Sequence, residues 1–156
     1  MLKKIIIPIL LLLLSSCGYE AIYSKKNLSS YNFSISELIF VGDRDVNIKI
    51  KQRLNSFTVN KKNKNFILKI SSDAEKVVLA KDTAGNPTNF KYTITVNIEV
   101  IMKNNLKNNL QIIDSFNYNN DVNKFDLKKY ELQIIRNLAE TASEKLLYKL
   151  SNIQWY

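Results

Sequence analysis

Phe90-Lys91-Tyr92-Thr93-Ile94-Thr95-Val96-Asn97-Ile98-Glu99-Val100 decides the fold. Phe90, Tyr92, Ile94, Val96, Ile98 and Val100 are aromatic or aliphatic, while the residues between them are polar. Successive side chains of a strand point to opposite faces, so this period of two describes an antiparallel strand with one face in a core and the other in water. Asp82-Thr83-Ala84-Gly85-Asn86-Pro87 precedes it and gathers Gly, Asn and Pro into a turn. Before that turn, Phe66, Leu68 and Ile70 alternate with Ile67, Lys69 and Ser71. That strand continues, with a bulge, through Val77-Val78-Leu79-Ala80 to Lys81.

Working outward toward the N-terminus, Asn60 to Asn65 reads as a turn carrying Lys61, Lys62 and Lys64. Between Asp43 and Phe57, residues Val46, Ile50, Leu54 and Phe57 share one helical face, with Lys49, Lys51 and Arg53 outside it. Gly42-Asp43 separates this helix from a strand over Asn32 to Val41, and Asp43 is suited to cap the helix. Toward the C-terminus, Asn104 to Asn109 reads as a turn and Leu110 to Tyr118 as a further strand. Asp126 to Ile153 is a long amphipathic helix whose apolar stripe runs through Leu127, Tyr130, Ile134, Leu138, Ala142, Leu146, Leu150 and Ile153 and is widened by Ile135, Ala139 and Leu147. Tyr92 and Tyr130 lie on apolar faces and read as core. The order is β-α-β-β-β-α. The expected fold is α+β: a two-layer sandwich in which two helices cover one face of a four-stranded, mostly antiparallel sheet. Such an open sheet leaves two edges, which need charge, proline or a cover.

Composition narrows the function before any motif does. The chain has 156 residues, no histidine and one cysteine. Without imidazole, the usual acid–base group near neutral pH and the commonest metal ligand are missing, and one thiol makes no intrachain disulfide. Triad hydrolysis, Cys–His catalysis and zinc sites of the usual kind are excluded. Glu140 and Glu144 are spaced i,i+4 on the long helix, an arrangement equally at home on a solvated face beside Lys145 and Lys149. With three glycines to shape a pocket or a phosphate loop, an enzyme and a nucleotide-binding module are both disfavoured. Lys and Arg total 23 against 14 Asp and Glu, for a formal charge of +9. Part of that excess reflects a Lys-, Asn- and Ile-rich composition and not an anionic partner.

The N-terminus gives an address. Met1-Leu2-Lys3-Lys4 is a short positive start and Ile5 to Leu14 an apolar run, well short of the about twenty residues a spanning helix needs. Leu14-Ser15-Ser16-Cys17 follows and matches a bacterial lipobox at every position. Small residues suit the peptidase, and the new N-terminal Cys17 carries diacylglycerol on sulfur and a further acyl chain, such as palmitate, on its amine. At about 0.8 kcal/mol per buried CH₂, two or three chains hold a protein on a membrane. The expected organisation is a signal peptide over 1–16, a lipidated cysteine and polar tether over 17–31, and a folded domain over 32–156. Gly18 after the cysteine, in place of an aspartate, favours the outer membrane, on its periplasmic side. Nucleic acid is not an expected partner in that compartment.

Cys17-Gly18-Tyr19-Glu20-Ala21-Ile22-Tyr23 resembles the mature start of the lipopolysaccharide-assembly lipoprotein family, LptE. Val78 to Phe90, running into Tyr92-Thr93-Ile94-Thr95-Val96-Asn97, is similar to that family's central hairpin, and the terminal helix fits as well. The resemblance implies a two-layer domain without catalysis or cofactor. Such a domain plugs the outer-membrane β-barrel LptD, assists its assembly, and binds lipopolysaccharide in transit to the outer leaflet. For phosphates and acidic sugars, the candidates are Lys81 and Lys91 beside the central turn, then Lys124, Lys128 and Lys129 at the start of the long helix. The turn Gly85-Asn86-Pro87 is expected to face the partner, and Trp155 and Tyr156 offer aromatic tips suited to a membrane interface or a protein contact. The competing expectation is an envelope scaffold or auxiliary lipoprotein of another transport or assembly complex, without lipopolysaccharide contact.

Overall fold

A computed structural model describes residues 31–59, 61–102 and 107–153. Cys17, the expected signal peptide, nearly all of the expected tether and the Trp155-Tyr156 pair lie outside these residues. The elements follow the expected order: β1 (Phe33–Gly42), α1 (Arg44–Leu54) with a 3₁₀ turn over Asn55–Phe57, β2 (Lys64–Lys81), β3 (Pro87–Ile101), β4 (Lys107–Asn119) and α2 (Lys124–Ser151). The strands lie side by side in sequence order. β1 and β2 run parallel, joined by the α1 crossover, and β2–β3 and β3–β4 pair antiparallel as a meander. The sheet is therefore mixed, with two of its three pairings antiparallel.

Period-two patterning sorts the sheet into two faces. Leu68, Ile70 and Ser72 on β2 stand opposite Val100, Ile98 and Val96 on β3, Phe66 stands opposite Ile35 on β1, and all are buried. Val46, Ile50 and Leu54 of α1 and Ile135, Ala139, Ala142, Leu146, Leu147 and Leu150 of α2 are buried with them, while Ile134 and Leu127 of α2 pack with Phe90 and Tyr118. Beneath the 3₁₀ turn, Phe33 stacks on Phe57 with centroids 5.3 Å apart and meets Phe66 edge-on at 5.5 Å. Ser143 is also fully buried on the α2 stripe, where its hydroxyl returns to the Ala139 carbonyl at 2.7 Å and so needs no partner from the sheet.

Both helices start on the caps their sequences supply. Asp43 accepts from the Val46 amide at 2.9 Å, and Asn123 accepts from Phe125 and Asp126. This second cap starts α2 at Lys124, two residues before the expected Asp126. Two strands also reach further than their patterns suggested. Lys64 and Asn65 belong to β2, and Lys107 to Asn109 to β4, in place of the turns read there. Polar residues form strands at these points because a neighbouring strand offers backbone hydrogen bonds. Among the described residues, no helix is long and apolar enough to cross a membrane.

Candidate functional site

The β2–β3 hairpin carries the central turn, and aliphatic side chains are exposed at its end. Val77, Val78 and Leu79 are exposed on consecutive positions, and the register shifts between Val78 and Ala80. That shift is the bulge expected in this stretch, and it lets adjacent aliphatic side chains reach solvent. The turn is self-organised. The Asp82 carboxylate accepts from the amides of Ala84 and Asn86 at 2.9 and 2.8 Å and from the Asn86 side chain at 3.1 Å. The Asp82 and Gly85 amides donate across the turn, to the Asn86 and Asp82 carbonyls, and Gly85 adopts φ +85°. These donors, the Asn86 side chain foremost, hold the Asp82 carboxyl below the usual carboxylate range.

The lysines singled out from sequence separate into groups. Lys81 stands opposite Pro87 at the base of the turn, and Lys91 stands opposite Val77 on the sheet face away from the helices. Lys124 is drawn toward the same hairpin. Its ammonium donates to Asn120 Oδ1 and the Asp121 carbonyl, each at 2.9 Å, while Asn120 donates to the Thr88 and Pro87 carbonyls at 2.9 and 2.7 Å. A second staple, from Asn89 Nδ2 to Asn119 Oδ1 at 2.8 Å, fixes the end of β4 against β3. Lys128 and Lys129 lie elsewhere. They line a groove of about 430 Å³ with Tyr92, Phe125, Leu132 and Ile135, and with the carboxylates of Asp45 and Glu131. Sequence proximity on the helix thus does not bring all the lysines to one point.

A polar cluster that the sequence reading did not single out lies between the sheet and α2. Lys76 Nζ is 2.5 Å from Glu131 Oε1 and 3.9 Å from the Phe90 ring centroid, and Tyr118 donates to the same Glu131 oxygen at 2.8 Å. Tyr118 also packs against Phe90 and, edge-on, against Tyr130 at 6.0 Å. Burial, then the Glu131 hydrogen bond and charge, push the Tyr118 phenol up, and burial and the nearby acids raise Tyr92 as well. Period two contained the clue. Lys76 follows Phe66, Leu68, Ile70, Ser72 and Ala74 on the helix-covered face, and a charge there needs a partner.

Tyr130 corrects an expectation. It remains 48% exposed, its ring edge-on to Tyr118, whereas Tyr118 supplies the buried phenol. The acids on α2 are also engaged differently from a solvated i,i+4 ladder. Glu140 pairs with Lys49 at 3.2 Å and Glu144 with Arg53 at 3.9 Å, both on α1, and Lys145 reaches Asp114 on β4. Among the described residues, no three His, Cys, Asp or Glu side chains gather as metal ligands would.

Solved bacterial lipoproteins share this fold. Rare lipoprotein B from Shewanella oneidensis is similar over 73% of this chain and 92% of its own, with 16% identity and a TM-score of 0.56. A minor lipoprotein from Acinetobacter baumannii is similar over 78% and 91%, with 16% identity and a TM-score of 0.54. Lipoprotein B from Nitrosomonas europaea is similar over 78% and 86%, with 12% identity and a TM-score of 0.52. At these identities the likeness is one of fold, and it is the α+β fold the sequence resemblance implied. Neither a protein-family model nor a curated protein matches the sequence.

Proposed function

We propose that this chain is a lipid-anchored, non-catalytic lipoprotein of the LptE family, held on the periplasmic side of the outer membrane through Cys17. There it plugs and helps assemble the LptD β-barrel and binds lipopolysaccharide on its way outward. The observation that carries the reading is the fold shared with solved bacterial lipoproteins over at least 86% of each of their chains, joined to the lipobox that precedes it here. A small two-layer wedge with a rigid, capped hairpin turn suits insertion into another protein's interior, where the free edges β1 and β4 would be screened from other strands. Lys81, Lys91 and Lys124 offer ammonium groups around an apolar hairpin end, a combination suited to an amphiphile bearing phosphate and acyl chains. Lys128 and Lys129 border a second apolar groove.

Affinity purification of the full lipidated chain from detergent-solubilised outer membranes tests the first part. LptD is expected to co-purify in stoichiometric amount. Recovery of the chain alone, from an extract in which LptD is intact, refutes the plug and leaves a scaffold role in another complex. For the ligand, a Lys81→Glu/Lys91→Glu double variant should lose most of its lipopolysaccharide binding in vitro while still co-purifying with LptD. Undiminished binding removes these two lysines from the site.

A further inference from the structure

The two edges of the sheet differ in how they are protected. β1 carries a register shift between Ile35 and Glu37, which bends the strand, and a carboxylate at that point. β4 has neither device. Its thirteen residues, Lys107–Asn119, pair with β3 without a break, contain no proline, and carry only Lys107 and Asp114 as charges. A long regular edge of this kind is a template for a further strand. Ile113 at its midpoint is 57% exposed and Phe116 46% exposed.

We propose that the β4 edge is a self-association surface, on which a second copy of this chain adds its own β4 antiparallel to make a continuous eight-stranded sheet. Self-complementarity selects the occupant. For both copies to keep their helices on one face, opposed residues must share a face, so the strand can slide only in steps that preserve parity. Centring the pair on Ile113 engages all thirteen residues of each strand. It sets Ile113 against Ile113 of the second copy, Phe116 against Leu110 and Asp114 against Ile112. Moving the centre to Asp114 would put two carboxylates face to face, and moving it to Ile112 would match Phe116 with Asn108. The register that pairs the most backbone therefore also pairs apolar groups and separates like charges. This association is independent of the proposed function. It would occupy an edge that carries no further strand among the described residues, before the chain meets any barrel.

Cysteine cross-linking of the full lipidated chain in detergent tests both contact and register, using a bifunctional thiol reagent with a reach of about 8 Å. Directly opposed side chains in an antiparallel pair are about 5 Å apart at Cβ. Ile113→Cys should therefore give a covalent dimer, and Val41→Cys, more exposed but on β1, should give none above the wild-type chain. Gln111→Cys and Ser115→Cys should each remain monomeric alone, since four residues of strand put like positions about 13 Å apart along the sheet. Mixed together they should cross-link to one another. A monomeric Ile113→Cys chain, equal cross-linking of Val41→Cys, a homodimer of Gln111→Cys, or capture of a different protein at Ile113→Cys would each overturn the proposal.

Discussion

Gly42 shows how far a single residue can decide a junction. It ends β1 at φ +98°, and a Cβ there would stand 1.9 Å from the Ser72 carbonyl oxygen. The tightness is functional for the fold, because Asp43 must donate to that carbonyl at 3.0 Å while its side chain caps α1. Ser72, in return, donates to the Asp43 carbonyl or to Asn47 Oδ1. Gly42→Ala should therefore cost about 3 kcal/mol, the scale of a backbone clash added to an unfavourable dihedral, seen as a lower urea midpoint with unchanged slope. Gly85 provides the contrast. Its φ is +85°, yet nothing lies within 4 Å of the added Cβ, so Gly85→Ala should cost only the dihedral strain, about 1 kcal/mol. Equal losses at the two glycines would mean that steric contact at Ser72 is relieved by movement of the backbone. At the neighbouring Asp82, the depressed carboxyl works in the opposite pH direction from the tyrosines. The turn's contribution is present above the unfolded carboxylate range and lost as pH falls through the lower folded value, so an NMR titration should find the Asp82 midpoint below its ordinary position.

At the scale of elements, the Lys76–Glu131–Tyr118 cluster fastens α2 to β2 and β4. Its members are unequal. Glu131 holds two donors, so Glu131→Leu strands both Lys76 and Tyr118, whereas Lys76→Met leaves the phenol bonded and keeps an unbranched chain against Phe90. Glu131→Leu should cost about 2 kcal/mol and Lys76→Met about 1 kcal/mol, as read from chemical denaturation. Comparable losses would show that the ion pair, and not the shared oxygen, carries the attachment. The sequence made the elements themselves readable. Alternation over Phe90 to Val100 and the helical spacing of Val46, Ile50 and Leu54 both report burial on one face, and tertiary packing did not override either. What local patterns cannot report is which distant elements meet. Glu140 and Glu144 are exposed, as their spacing beside Lys145 and Lys149 suggests, yet they pair with Lys49 and Arg53 because α1 lies alongside α2. Likewise Lys124 reaches the hairpin through Asn120, which bonds Pro87 from 33 positions away, while Lys128 lines a different groove. The ends of β2 and β4 were misplaced for the same reason, since a polar stretch joins a sheet when a neighbouring strand supplies the pairing.

Over the whole molecule, two phenols on the covered side of the sheet set an alkaline limit. Burial disfavours phenolate at both Tyr92 and Tyr118, and acids add to it: Glu131 through its hydrogen bond and charge at Tyr118, and Asp43, Glu131 and Asp45 at Tyr92. A phenol whose folded value lies above its unfolded value of about 10 stabilises the fold fully below that value. The unfolded chain ionises first as the pH rises, and the contribution drains away until the folded phenol itself ionises. Unfolding free energy should accordingly hold steady through neutral pH and fall above about pH 10. Tyr118→Phe should lower stability at neutral pH by about 1 kcal/mol, the hydrogen bond to Glu131, while making the alkaline decline shallower. The two stability curves should converge as the pH climbs past 10. If they stay parallel instead, the Tyr118 phenol ionises in the same range folded and unfolded, and the alkaline decline does not come from it.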